Sequence, residues 1–290
     1  MKKMKINIII LVLVAFGVLF FSLKDNFFSV LDYFKNINYY WIFIACGFYV
    51  LNIFFQSLSQ YMFLKEVKND YKKSSCFKLM SMAMFFNGIT PFSSGGQPFE
   101  IYLLRKEGIK VSDSANALLQ NFITYQFALI FVGTVALIAN VYLEIIPDDM
   151  LLRKIVILGY IINVSVMAVI LFLSRGKKTN TKIFNKLFNF IFKLKFIKNG
   201  EQKRQKAEKM LDDFYNSTAI MKNNFKNTIL SFSFNLLSLL CLYIVPLFVF
   251  LSLDNTDMTV MNSLVLSGYT FLIGSFVPIP GGWRIRICIY

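Results

Sequence analysis

Histidine is absent from all 290 residues. That removes His-ligated metals, His general bases and the Ser–His and Cys–His dyads from the chemistry this polypeptide can perform alone. Cysteine is scarce: Cys46, Cys76, Cys241 and Cys288 show no CxxC spacing, and most lie in or beside apolar runs, where a free cysteine packs as a small apolar residue. Acidic residues number 16 against 31 Lys and Arg, and charged residues of both signs make up only 16%. Little soluble-enzyme chemistry survives these absences, and neither a metal nor a cofactor is expected.

What fills the chain is apolar: 56% of residues are hydrophobic and 33 are Phe. Several runs are long enough to cross a bilayer core, which takes about 20 helical residues. The expected fold class is therefore all-α, a polytopic integral membrane helical bundle. The net charge of +15 reflects basic loops between spans rather than nucleic-acid binding. Basic and aromatic residues are not interleaved as single-strand binding favours, so no nucleic acid is expected as a partner.

Taken in order, Met1–Lys5 carries three Lys ahead of an apolar run, Ile6 to Leu23. This run exceeds a signal-peptide core and lacks a small-x-small cleavage site, which predicts a retained first span with a cytoplasmic N-terminus. Further spans are expected at about 39–60, 115–143, 151–173, 229–253 and 260–277, about six in all. Asn52, Gln56 and Ser59 recur at helical spacing, as do Asn116, Gln120 and Thr124, and again Ser231, Asn235 and Ser238. Such polar stripes either line a headgroup groove or join helices to one another.

The stretch 87–100 breaks this pattern, because Pro91 and Pro98 remove backbone donors and Gly95-Gly96 favours non-helical dihedrals. A break at bilayer depth is tolerated only where protein or a water-filled cavity surrounds it. If 79–104 crossed once, the loop with Arg105, Lys106 and Lys110 would be external and every later loop would invert. The basic region from Leu173 to Lys226, with 14 basic and four acidic residues, would then lie outside, and Glu144, Asp148 and Asp149 inside. All the loops agree on the opposite arrangement, which predicts a re-entrant hairpin that enters and leaves from the cytoplasm.

Residues 174–228 form a basic cytoplasmic insert with two amphipathic runs, the first with Lys182, Lys186 and Lys193 opposite Phe184, Leu187, Phe188 and Ile191. That pattern suits a helix on an anionic membrane surface, or one packed on the bundle. Pro278-Ile-Pro-Gly-Gly282 then echoes the first break, and two interrupted segments in corresponding halves point to a transporter-type site. After Gly282 the composition changes: the last eight residues contain two of the six Arg, one of the two Trp and one of the four Cys. The shift suggests a frame change near Gly282, so that 1–290 would be a single transmembrane domain, incomplete beyond that point.

The segments Gly88-Ile-Thr-Pro-Phe-Ser-Ser-Gly-Gly-Gln-Pro-Phe-Glu100, Tyr102-Leu-Leu-Arg105 and Pro278-Ile-Pro-Gly-Gly282 resemble the transmembrane region of the bacterial lysylphosphatidylglycerol synthase/flippase family, the multiple peptide resistance factor and its shorter relatives. The resemblance covers nearly the whole chain. It implies a bacterial cell-membrane protein that moves a phospholipid, phosphatidylglycerol or its lysyl derivative, between leaflets, and so contributes to resistance to cationic peptides. The lysyl transfer of the longest members belongs to a soluble aminoacyl-transferase domain that these 290 residues do not include, so no catalytic residue is expected. In the family the second motif continues with further glycines and an acidic residue, where this chain has Trp283-Arg-Ile-Arg286. A homo-oligomer is compatible with the sequence.

The candidate lipid-binding residues are Thr90, Ser93, Ser94, Gly95, Gly96, Gln97, Glu100, Arg105, Gly281 and Gly282. Ser93, Ser94 and the Gly95-Gly96 backbone before a half-helix suit a phosphate, since free N–H groups and the positive dipole end favour anions. With Pro98 as first helical residue, Glu100 is expected to be the third, where it caps N–H groups, or else meets a headgroup amine or Arg105.

Overall fold

The structure is a computed structural model and describes residues 37–90, 95–146, 149–173, 205, 224–254 and 256–274. Those residues fold into helices: α1 Tyr39–Val67, α2 Lys73–Ile89, α3 Gly96–Lys106, α4 Val111–Leu143, α5 Met150–Leu173, α6 Phe225–Tyr243, α7 Val245–Ser252 and α8 Val260–Gly274. Among the described residues four segments are long and apolar enough to cross a membrane: α1, α4, α5 as far as Ile170, and α6 with α7 as one unit, Phe225–Ser252. α8 is apolar and shorter. The expected span at 6–23, the second break at 278–282 and nearly all of the insert at 174–228 lie outside the described residues.

Local chemistry sets the helix ends. Asn38 starts α1, its side-chain oxygen accepting from the Tyr40 N–H at 3.2 Å. Asp149 caps α5 by accepting from the Leu151 and Leu152 N–H groups at 2.7 and 2.9 Å. α4 stops at Glu144, which takes left-handed backbone (φ 48°), while Asn140 Oδ1 collects the Ile146 N–H at 2.8 Å. With 33 residues α4 is about 50 Å long, more than a hydrocarbon core of about 30 Å requires. Its first turns, with Asp113 and Ser114, extend the helix beyond the expected start at 115 because nothing there breaks it.

α1 and α6 run antiparallel along a polar seam with a seven-residue step on each helix. Asn52 Nδ2 donates to Ser238 O at 2.9 Å, Ser59 Oγ meets Ser231 Oγ at 2.6 Å, and Glu66 Oε1 accepts from Asn224 and Asn227. α4 joins at the middle of the seam, where Ser59 Oγ donates to Asn121 Oδ1 at 2.6 Å and Thr124 Oγ1 meets Ser231 Oγ at 2.8 Å. Asn235 Nδ2 donates to Thr124 Oγ1 at 3.0 Å. The stripes anticipated on these three spans therefore largely face one another. In hydrocarbon the hydrophobic effect cannot drive helices together, and polar pairs of this kind specify which helices meet and in what register.

The α6–α7 kink follows from Pro246, which has no N–H for the carbonyl one turn back. α8 serves the backbone groups that the kink opens next to it: Ser263 Oγ and Ser267 Oγ donate to Tyr243 O at 2.7 and 3.0 Å, and Leu247 N–H donates to Ser263 Oγ at 3.1 Å. Serines on a neighbouring helix thus satisfy the backbone groups that lipid could not. α8 also packs closely on α4. A Cβ at Gly268 would lie 2.6 Å from Ala136 Cβ, so only glycine permits this approach.

Candidate functional site

α2 and α3 form the hairpin around the first break. Cys76 and Leu79, near the start of α2, share one core cluster with Leu104, near the end of α3, together with Phe63, Leu64, Tyr71, Ile109 and Ala117. The chain therefore leaves the hairpin beside the point where it entered. Lys68 Nζ donates to Glu107 O at 3.2 Å and ties the two basic loops together at that end.

At the closed end the two arms of the hairpin fasten to each other. Gly96 N–H donates to Asn87 Oδ1 at 2.8 Å, Gly95 N–H to Thr90 Oγ1 at 2.9 Å, and Thr90 Oγ1 in turn donates to Phe86 O at 2.8 Å. The Phe86 and Phe99 rings lie 3.9 Å apart between centroids. A Cβ on Gly95 or Gly96 would come within 2.5 Å of Thr90 or Asn87, so both glycines are needed for close approach. Their N–H groups, expected to face a phosphate, are already engaged with the facing arm.

α3 begins at Gly96, two residues before the expected start, because the Asn87 bond lets the helix form ahead of the proline. Pro98 is then its third residue, still within the first turn where no intrahelical donor is required. Glu100 becomes the fifth, past the capping positions, so the expectation of Glu100 as a third-residue cap is corrected. Its pairing with Arg105 is corrected as well. Five residues place the two about 140° apart around the helix, and Arg105 is exposed where Glu100 is buried.

Glu100 is 5% exposed, and among the described residues its Oε2 has no hydrogen-bond partner. It stands one turn before Leu104 on α3, as Gln60 stands one turn before Leu64 on α1 and Gln120 one turn past Ala117 on α4. Leu104, Leu64 and Ala117 belong to one cluster, so these three buried polar side chains occupy the next level of the bundle above it. Gln60 Nε2 and Gln120 Oε1 are likewise without partners. Cys76 and Tyr71 belong to the cluster below this level, and the Cys76 thiol donates to Ser57 O at 3.1 Å.

Of the other candidates, Thr90 is half-buried within the hairpin clasp, Gln97 is exposed beside it, and Arg105 is exposed at the open end. Ser93, Ser94, Gly281 and Gly282 lie outside the described residues. A groove of about 210 Å³ between α4 and α6, lined by Thr124, Phe127, Thr228, Ile229 and Phe232, contains no hairpin residue. It falls below the roughly 300–1,000 Å³ of ordinary ligand pockets.

A family model described as the lysylphosphatidylglycerol synthase TM region matches residues 7–286. The chain belongs to this family. No curated protein and no solved structure matches it. The match extends across every described helix, so the hairpin and the α1–α4–α6 seam belong to the synthase family's transmembrane region. Asn87, Gln60 and Tyr71 were not singled out by sequence reasoning. Asn87 carried the clearest signal, a side-chain acceptor at the last turn before a Pro/Gly break, whereas Gln60 and Tyr71 became notable only through burial.

Proposed function

We propose that this member of the lysylphosphatidylglycerol synthase family acts as a lipid flippase-like module for anionic or lysinylated phospholipid. The observation that carries the reading is Glu100, a buried carboxylate with an open acceptor atom on a hairpin inside a membrane bundle. Such groups are costly in membranes, and by default they mark a path for a polar substrate. A headgroup amine is the complement to Glu100, and the level shared with Gln60 and Gln120 offers further hydrogen bonds to a headgroup. The headgroup phosphate falls to the tip, at Gln97 and the neighbouring Ser93 and Ser94. Gly95 and Gly96 serve by letting the arms close, and Thr90 by clasping them. Arg105 attracts anionic headgroups at the open end, and Gly281 and Gly282 belong to a second half-site.

In this reading the hairpin is re-entrant. Its open end, with Lys65, Lys68, Lys72, Lys73, Arg105, Lys106 and Lys110, lies at the cytoplasmic face of a bacterial cell membrane, and the N-terminus is cytoplasmic. Proteoliposomes carrying fluorescent phosphatidylglycerol, read by quencher accessibility, test the function. Wild-type protein is expected to translocate the lipid and Glu100→Ala to slow it without loss of folded protein. Equal rates would remove Glu100 from the path. The family description favours a second reading, the membrane part of a phosphatidylglycerol lysyltransferase. New lysylphosphatidylglycerol in cells expressing only this chain would establish it.

A further inference from the structure

The side of the hairpin turned away from Glu100 carries a continuous aromatic strip. Its two ends are open: Phe85 is 64% and Tyr102 52% exposed. Phe86 and Phe99 join them across the two arms. Ring centroids lie 5.5 Å apart from Phe85 to Phe86, 3.9 Å from Phe86 to Phe99 and 6.3 Å from Phe99 to Tyr102. Around α3, Tyr102 stands about 160° from Glu100, so the strip and the buried polar level occupy opposite sides of this helix.

Cations end the strip on both arms. On α3, Lys106 Nζ sits 4.7 Å from the Tyr102 ring centroid. Arg105 and Lys106 are both exposed and fall one turn past Tyr102, within about 60° of it on either side. Glu107 is about 140° from Tyr102 and so lies off this face. On α2, Lys78 is exposed and shares a face with the exposed Met82 and Phe85 at the spacing of one and two turns. From the Phe86–Phe99 contact to Lys78 is about 12 Å along α2, and to Lys106 about 10 Å along α3. The two arms therefore present their cations at one level.

Apolar for about 10 Å and then cationic, this face has the profile of a phospholipid that contributes a chain and a phosphate. Interfacial helices bury their apolar face about 5–10 Å into the boundary between headgroups and acyl chains, and a ring beside a snorkelling lysine marks that boundary. A single-stranded nucleic acid would need open ring faces on which to stack, whereas Phe86 and Phe99 face each other.

We propose that this outer face binds one anionic phospholipid from the leaflet at the open end of the hairpin. Its phosphate lies between Lys78 on α2 and Arg105 and Lys106 on α3, and one acyl chain follows Phe85, Phe86 and Phe99 toward the tip. The lipid bridges the two arms and is separate from any headgroup at Glu100. The site rests on the re-entrant placement of the hairpin and does not depend on translocation.

Brominated-lipid quenching tests it in nanodiscs of the full chain, with Trp41→Phe and Trp283→Phe and a single reporter, Phe85→Trp or, one turn away on the same face, Met82→Trp. Brominated phosphatidylglycerol is expected to quench both reporters more strongly than brominated phosphatidylcholine at equal mole fraction. Ile161→Trp, at a 53% exposed position on α5, is expected to show no preference. The relative association constant should fall about fivefold for each of Lys78→Gln and Lys106→Gln. It should hold in the pair Lys65→Gln and Lys110→Gln, which removes the same charge from the same end but off the strip. Equal quenching by the two lipids, or equal losses in the two pairs, would overturn the site. Reporters that neither lipid quenches would overturn the re-entrant placement and the site with it. Failure of translocation, by contrast, would bear only on the flippase reading.

Discussion

Replacing Asn87 by Leu removes the acceptor that receives the Gly96 N–H at 2.8 Å and leaves that donor, on a buried glycine, without its partner. An orphaned buried donor costs about 1–3 kcal/mol. Because about 1.4 kcal/mol is a factor of ten in an equilibrium, the closed tip should open roughly five- to 150-fold more often. The cost should appear locally, since the cluster of Cys76, Leu79 and Leu104 holds the other end of the hairpin by apolar packing that the substitution does not touch. Amide hydrogen exchange of the peptide covering 95–100, in nanodiscs, reads this opening directly as lost protection. Asn87→Asp keeps an acceptor at the same place and adds a negative charge at the N-terminus of α3, which the helix dipole favours. It should therefore retain most of the wild-type protection. Unchanged exchange in Asn87→Leu, or equal losses in Leu and Asp, would refute the assignment of Asn87 as the clasp.

Gly268→Ala places a Cβ 2.6 Å from Ala136 Cβ, whereas Gly133→Ala meets only the flexible end of Leu272 at 3.2 Å. Both gain similar helix propensity, so Gly268→Ala should be the less stable in detergent unfolding, by about 1–3 kcal/mol, and Ala136→Gly should rescue it. Ser231→Ala should cost only about 0.6 kcal/mol, because Ser59 keeps its bonds to Asn121 Oδ1 and Ser231 O, and Thr124 keeps Asn121 O; equilibrium unfolding of the pair checks this. Tyr71, raised in the folded protein by burial above all, contributes stability that is present below about pH 10, the unfolded tyrosine value, and lost as pH rises further. Tyr71→Phe should therefore flatten the alkaline fall in thermal stability.

A break within 87–98 was legible because proline without an N–H and paired glycines disfavour a continuous helix, but its bounds were not: α2 runs on to Ile89 and α3 begins at Gly96, with Pro98 inside its first turn. The seam was legible in part. Asn52, Ser59, Ser231, Asn235 and Ser238 recur at helical spacing in the sequence, but spacing on one helix does not name the helix opposite. Pairing Ser59 with Ser231 and Asn121 required α1, α4 and α6 to be docked. Glu100 shows the same division. Its place after Pro98 suggested a cap, yet the Asn87–Gly96 bond, between residues nine positions apart, started α3 early and turned Glu100 into the bundle instead.

By itself, the sequence determined that this chain is helical and embedded in a membrane, where its loops carry positive charge and roughly where its helices are interrupted. These follow from transfer energies and backbone donors, which each residue brings regardless of its neighbours. Only the tertiary structure decided which polar groups find partners and which are left open. Gly95, Gly96, Ser59 and Ser231 are satisfied, and among the described residues Gln60, Glu100, Gln120 and Tyr71 keep unpaired atoms. A hydrogen bond depends on two groups being brought within about 3 Å of each other, and helix packing sets that distance.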